Sequence, residues 1–97
     1  MKRFRWDPAK NEQLRLERGV SFESMVVAIE AGGSLAIMSH PNPDQYPRQR
    51  ILVVEKDGYA WLVPFVEEAE YIFLKTAIPS RKATRDYLGR GEFDVED

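Results

Sequence analysis

Cysteine is absent from this chain, and histidine occurs once, at position 40. The first absence excludes disulfides and thiolate-bound metals. The second excludes a zinc site built from several imidazoles, so no metal or cofactor is expected. No apolar stretch approaches the ~20 residues that a membrane-spanning helix needs, and no membrane partner is expected. The start, Met1-Lys2-Arg3-Phe4-Arg5-Trp6, carries positive charge but lacks the apolar run of a signal peptide; the expected location is the cytoplasm. Internal repeats, linkers and low-complexity segments are also missing. A chain of 97 residues makes one domain with a modest core, burying about 60–65% of its unfolded surface.

What is present suits a soluble globular domain: 43% hydrophobic and 31% charged residues, with a net charge of −2. That balance hides a gradient. The segment Glu92-Phe93-Asp94-Val95-Glu96-Asp97 holds four acids and no base, and without it 14 basic side chains face 12 acidic ones. The first strand and the stretch from Lys75 to Arg90 are basic, so a local cationic patch is compatible with the total. The domain is read as residues 1–91. Residues 92–97 are expected to be a disordered, solubilising acidic tail; a second reading has it masking the basic patch.

Phe4-Arg5-Trp6 reads as a short first strand. Asp7-Pro8 has the form of a helix start, with Asp as N-cap and Pro at the first helical position, where its missing N–H is no loss. That helix runs to Arg18 and stops at Gly19; Leu14 and Leu16 do not share a face. Ser21 caps a second helix, in which Phe22, Met25, Val26 and Ile29 recur at helical spacing until Gly32-Gly33 ends it. Leu35-Ala36-Ile37-Met38 reads as a strand, followed by a proline-rich loop from His40 to Pro47. Arg50–Lys56 and Tyr59–Val66 form a hairpin around Asp57-Gly58. The two-residue turn sets Lys56 against Tyr59, Val54 against Trp61 and Arg50 against Phe65. Pro64 marks a bulge or an edge. After Glu67-Glu68-Ala69-Glu70 comes a last strand, Tyr71–Ile78, whose register leaves open which face Lys75 shares with Arg50. The order β-α-α-β-β-β-β-α defines an α+β, two-layer domain: an antiparallel sheet, two N-terminal helices and a short C-terminal helix.

The last helix, Arg81-Lys82-Ala83-Thr84-Arg85-Asp86-Tyr87-Leu88, opens with cations. Helix starts favour acids, because the first-turn dipole is positive. Arg81 and Arg85 are four apart on one face, with Lys82 beside them. A phosphate group is the natural ligand for such a cluster; the plainer reading is a solvated helix face.

Three sets of residues resemble a known family. Trp6-Asp7-Pro8-Ala9-Lys10-Asn11 with Arg18-Gly19-Val20-Ser21-Phe22-Glu23 resembles the N-terminal signature of BrnT-type toxins, small members of the RelE/ParE-like superfamily of type II toxin–antitoxin systems. Tyr46-Pro47-Arg48-Gln49-Arg50 is similar to that family's entry into its central hairpin. Ile78-Pro79-Ser80-Arg81-Lys82-Ala83-Thr84 is similar to its closing element. The matches run in order over residues 4–88. The chain departs from the pattern at Thr76, where a basic residue is expected with Lys75 beside it. It departs also at Arg48-Gln49, in place of a pair of acids, and at Glu17-Arg18, in place of lysine-histidine.

The resemblance implies a RelE-like fold and a metal-independent endoribonuclease that inhibits translation. It implies a cognate antitoxin with a ribbon-helix-helix DNA-binding domain, operator DNA being contacted only through that antitoxin. Metal-free cleavage uses the RNA's own 2′-hydroxyl, so the protein must hold the phosphate, stabilise its added charge and manage two protons. The residues assigned to that task are Arg50, Arg81, Lys75 and Tyr46, with Arg85, Lys82, Tyr87 and Arg48 binding RNA. His40 is a further acid/base candidate, set against a plain loop-surface role. Arg50 has its own plain reading, as the partner of a nearby carboxylate. Tyr59, Trp61 and Phe65 read first as packing and second as a base-stacking platform. Glu67, Glu68 and Glu70 read as a charged turn in preference to a cation site. The competing function is a RelE-like module with weak or no nuclease activity, acting as binding partner and corepressor with a DNA-binding antitoxin.

Overall fold

The computed structural model describes residues 2–89; the acidic segment 92–97 lies outside the described residues. The elements are β1 (Arg3–Arg5), α1 (Pro8–Arg18), α2 (Phe22–Ala28), a single π turn (Ile29–Gly33), β2 (Ser34–Ser39), β3 (Gln49–Lys56), β4 (Tyr59–Glu67), β5 (Tyr71–Leu74), β6 (Ile78–Pro79) and α3 (Arg81–Leu88). This is an α+β domain. Its sheet runs β1-β5-β4-β3-β2, with β6 pairing the start of β4. The sheet is mixed, because β1 lies parallel to β5; the remaining pairs are antiparallel.

The helix boundaries follow from their caps. Asp7 accepts a hydrogen bond from the Ala9 N–H at 3.1 Å, Pro8 opens α1, and Gly19 closes it in the left-handed region at φ 69°. Ser21 and Ser24 exchange side-chain to backbone bonds of 3.1 Å in each direction, a capping box that starts α2. Asn11 joins the two helices: its amide donates to Glu23 at 2.8 Å while its carbonyl accepts from the Phe22 N–H at 2.7 Å. At Gly33 only glycine fits. An added Cβ would sit 2.5 Å from the Glu55 carbonyl oxygen and 2.8 Å from that of Ala28, so the π turn lies directly against β3.

Asp57 and Gly58 both have positive φ, 56° and 78°, as a two-residue hairpin turn requires. The hairpin register therefore comes out as the turn dictates, with Lys56 against Tyr59, Val54 against Trp61 and Arg50 against Phe65. Alternation then sorts the sheet into two faces. On one, Leu52, Val54, Val63, Phe65, Leu74 and Ala77 pack with Leu14, Val20, Phe22 and Met25 from α1 and α2. Leu14 is fully buried while Leu16 is 79% exposed, as their spacing on α1 demands. On the other face, Val53 and Ala60 pack against Ala83, with Leu62 and Leu88 partly buried beside them. Covered on both sides, Ile51–Val54 forms an unbroken buried run. Helices thus flank the sheet on both faces: α1 and α2 on one, α3 on part of the other.

The expected single strand Tyr71–Ile78 is two strands. Phe65 pairs with Leu74, but Leu62 pairs with Ile78, so β4 places two residues where the partner chain has three. Pro64 sits at this step. Its carbonyl accepts from the Lys75 N–H at 2.8 Å, and the missing amide hydrogen on the same side of Pro64 cannot complete the ladder. The extra residue forms a bulge over Lys75–Ala77.

Candidate nucleic-acid interface

The register settles the question that the turn at Glu68-Ala69-Glu70 left open. Glu67 pairs with Ile72 and Val66 with Phe73, so Phe73 and Tyr71 lie on the α3 face of the sheet. Lys75 follows them there, its ammonium 5.4 Å from the centre of the Phe73 ring. The bulge falls after Lys75 and brings Ala77, not Lys75, to the α1/α2 core. Parallel pairing aligns Arg3 with Tyr71 and Arg5 with Phe73, which sets both arginines on this same face. The Arg5 guanidinium lies 5.2 Å from the Tyr71 ring centre. Cations and aromatic rings alternate here, an arrangement that fits phosphates and unstacked bases.

The cations of α3 lie on the same side of the sheet. Ser80 caps the helix by accepting from the Ala83 N–H at 3.0 Å. Thr84, 4% exposed, fastens it to the sheet: its hydroxyl accepts from the Ala60 N–H at 2.8 Å and donates to the Ser80 carbonyl at 2.7 Å. Fixed in this way, α3 leaves Arg81, Lys82 and Tyr87 exposed. Lys82 and Arg85 both contact Asp86, at 3.0 and 3.4 Å. The Lys82 ammonium first, and Arg85 second, hold the Asp86 carboxyl below its ordinary value. Among the described residues, Arg3, Arg5, Lys75 and Arg81 have no carboxylate within ion-pair distance.

Arg50 belongs to the other face. It lies over Phe65, 5.2 Å from the ring centre, and donates to Glu67 at 2.6 Å. Lys2 donates to the second oxygen of the same carboxylate at 2.7 Å. Lys2 first, and Arg50 after it, hold the Glu67 carboxyl below its ordinary value. Arg48 pairs with Glu68 at 3.1 Å. Glu67 and Glu68 thus meet cations, and Arg50 is paired with a nearby carboxylate as its plain reading has it. Tyr46 and His40 stack in the β2–β3 loop with ring centres 4.5 Å apart. His40 Nδ1 accepts from the Asn42 N–H at 3.0 Å, so that nitrogen is already engaged within the loop. Phe65 is buried, Trp61 is packed against the core and Tyr59 is partly exposed; none of the three forms an open stacking platform.

Of the four residues assigned to catalysis, Lys75 and Arg81 share a side of the sheet, whereas Arg50 and Tyr46 do not join them. Arg50 pairs with Phe65 and α3 is anchored at Ala60, a separation of roughly 16 Å along β4 at ~3.3 Å per residue, with the sheet between. The sequence reading missed Arg3, Arg5, Tyr71 and Phe73. Their alternation of cation and aromatic was visible, but their adjacency depends on a parallel pairing 68 positions apart along the chain. Among the described residues no three metal-ligating side chains come together, and no helix is long and apolar enough to cross a membrane. A groove lined by Ser24, Val27, Gly33, Glu55 and Lys56 lies between α2, the π turn and the end of β3, and holds none of the candidate residues. In comparisons with known proteins, no family model, curated protein or solved structure matches the chain. The resemblance to BrnT-type toxins therefore rests on its motif residues alone.

Proposed function

We propose that this chain is a BrnT-type toxin of a type II toxin–antitoxin system, acting in the cytoplasm as a metal-independent endoribonuclease. RNA would lie across the α3 side of the sheet. The observation that carries this reading is the pair of cations seated over aromatic rings, Arg5 on Tyr71 and Lys75 on Phe73. Each keeps its charge for a phosphate, and both rings are half-buried rather than closed off, which suits stacking with a base. In the reaction the 2′-oxygen attacks the adjacent phosphorus and the bond to the 5′-oxygen breaks. The 2′-proton leaves to a base and a proton is delivered to the 5′-oxygen, giving a 2′,3′-cyclic phosphate and a 5′-hydroxyl. Lys75 is the group assigned to the charge that builds on the phosphoryl oxygens, and Arg5, Arg81 and Arg85 to the flanking phosphates along the same side. A ribbon-helix-helix antitoxin would hold the protein inactive and carry it to operator DNA.

The test is inducible expression without the antitoxin, mapping RNA ends for the parent chain and for Arg81→Ala and Lys75→Ala. New ends that vanish in both variants, with the variants folded, support the reading. Ends unchanged in both remove the site from this face. A second reading is favoured by Arg50, whose guanidinium is taken up by Glu67 at 2.6 Å: a RelE-like module that binds partner and RNA without cleaving. Normal growth and unchanged RNA, with folded protein that still binds RNA, would select it.

A further inference from the structure

Among the described residues the path of the sheet ends in two edge strands, β1 and β2, and the chain treats them differently. At β1 the edge is three residues long and carries Arg3 and Arg5, with Lys2 adjoining. Short length and like charge are the usual protection of an exposed edge. At β2 the edge is six residues long, Ser34-Leu35-Ala36-Ile37-Met38-Ser39, and pairs with β3 alone among the described residues. It carries no charge and no proline. The charge-free stretch extends over residues 31–43, the longest in a chain that is 31% charged. A register irregularity lies at Leu35, and beyond it Ala36–Ser39 pairs regularly with β3. Ile37 pairs with Leu52 and so faces the α1/α2 side. Leu52 is 7% exposed there, yet Ile37 is 56% exposed, because the helical layer stops short of the edge.

We propose that β2 is the seam of a homodimer, in which two copies pair antiparallel through Ser34–Ser39 about a two-fold axis normal to the sheet. Self-pairing sets each residue type near its own kind, so a charged strand opposes itself and a neutral one does not. That is the charge match of β2 and not of β1. The axis keeps α1 and α2 of both copies on one side, joins the sheets into one, and brings the two Ile37 side chains together where each is otherwise bare. A foreign strand would find no charge on β2 by which to be selected; a second copy needs none. This inference stands apart from the nucleic-acid reading.

The experiment is sedimentation of the full chain over a concentration series, alongside Ile37→Lys and Val27→Lys. Val27 is 66% exposed on α2 and is not part of β2, so both substitutions spare the core. The parent and Val27→Lys are expected to dimerise alike. Ile37→Lys is expected to weaken dimerisation by about tenfold or more, with a melting profile that matches the parent's at concentrations where the parent is monomeric, and β2 amides are expected to exchange faster in it. A parent chain that is monomeric throughout overturns the proposal, as does a dimer that Ile37→Lys leaves intact.

Discussion

On the α1/α2 face of the sheet, Arg50 lies over Phe65 and is closed off by Glu67, which Lys2 also holds. On the α3 face, Arg5 and Lys75 lie over Tyr71 and Phe73 without a carboxylate at hand among the described residues. Both faces use a cation over a ring, but only one neutralises it. An ion pair ties up charge locally, whereas an aromatic ring orients a cation and leaves its field for a third group. The first face has the larger buried cluster and the second the larger unpaired charge. One face holds the fold together, and the other is available to an anionic partner.

The largest effect should come from emptying the first face. Phe22 is fully buried and stacks on Trp6 at 5.6 Å between ring centres. Phe22→Ala should cost about 3–5 kcal/mol, read as a lowered melting temperature; a loss below ~1 kcal/mol would deny this face its leading share of stability. Next comes Gly33→Ala, which drives a methyl against the Glu55 and Ala28 carbonyl oxygens. A cost of about 1–3 kcal/mol is expected, since both obstacles are backbone. A neutral result in denaturant titration would mean the π turn can move off β3.

The second face is tested by binding. Arg5→Ala with Lys75→Ala should weaken binding of a single-stranded RNA oligonucleotide about tenfold, near 1.4 kcal/mol, while leaving the melting temperature nearly unchanged. The slope of log affinity against log salt should fall by about 0.7 for each phosphate contact removed. Arg50→Ala should leave both quantities almost as they were. Equal losses in the two variants, measured by fluorescence anisotropy over a salt series, would erase the contrast between the faces.

Much of the fold was readable because its signals are local. Asp7-Pro8, Gly19, Ser21 and Gly32 bound their helices by side-chain and φ requirements that need no tertiary context, and Asp57-Gly58 dictates eight paired positions of the hairpin. The α+β class follows from those elements. What escaped depends on distant partners. The split of β5 from β6 arises where Pro64 interrupts a neighbour's ladder, and the parallel seat of β1 beside β5 joins the two ends of the fold. The site was legible in residue type but not in assembly. Arg50 and Lys75 were both visible cations, and their separation hinged on the register across Glu68-Ala69-Glu70. The bulge then placed Ala77, one residue past Thr76, against the core.

The smallest effect is the one that isolates the paired face. Glu67 is ionised more readily in the folded chain than its ordinary carboxylate value allows, chiefly through Lys2 and secondarily through Arg50. A carboxyl lowered by folding stabilises the native state fully above its unfolded pKa, and that contribution disappears as pH falls through the folded value. The melting temperature should therefore drop modestly on acidification across that window, and Glu67→Gln should flatten this part of the profile. Carbon-detected titration of the Glu67 carboxyl gives the finer test. Lys2→Ala should raise its midpoint more than Arg50→Ala, because Lys2 is the stronger influence. The reverse order would mean that Arg50 is the stronger influence on the carboxylate. The charge of Arg50 would then be more fully committed to Glu67, which would widen the difference between this face and the one that carries Arg5 and Lys75.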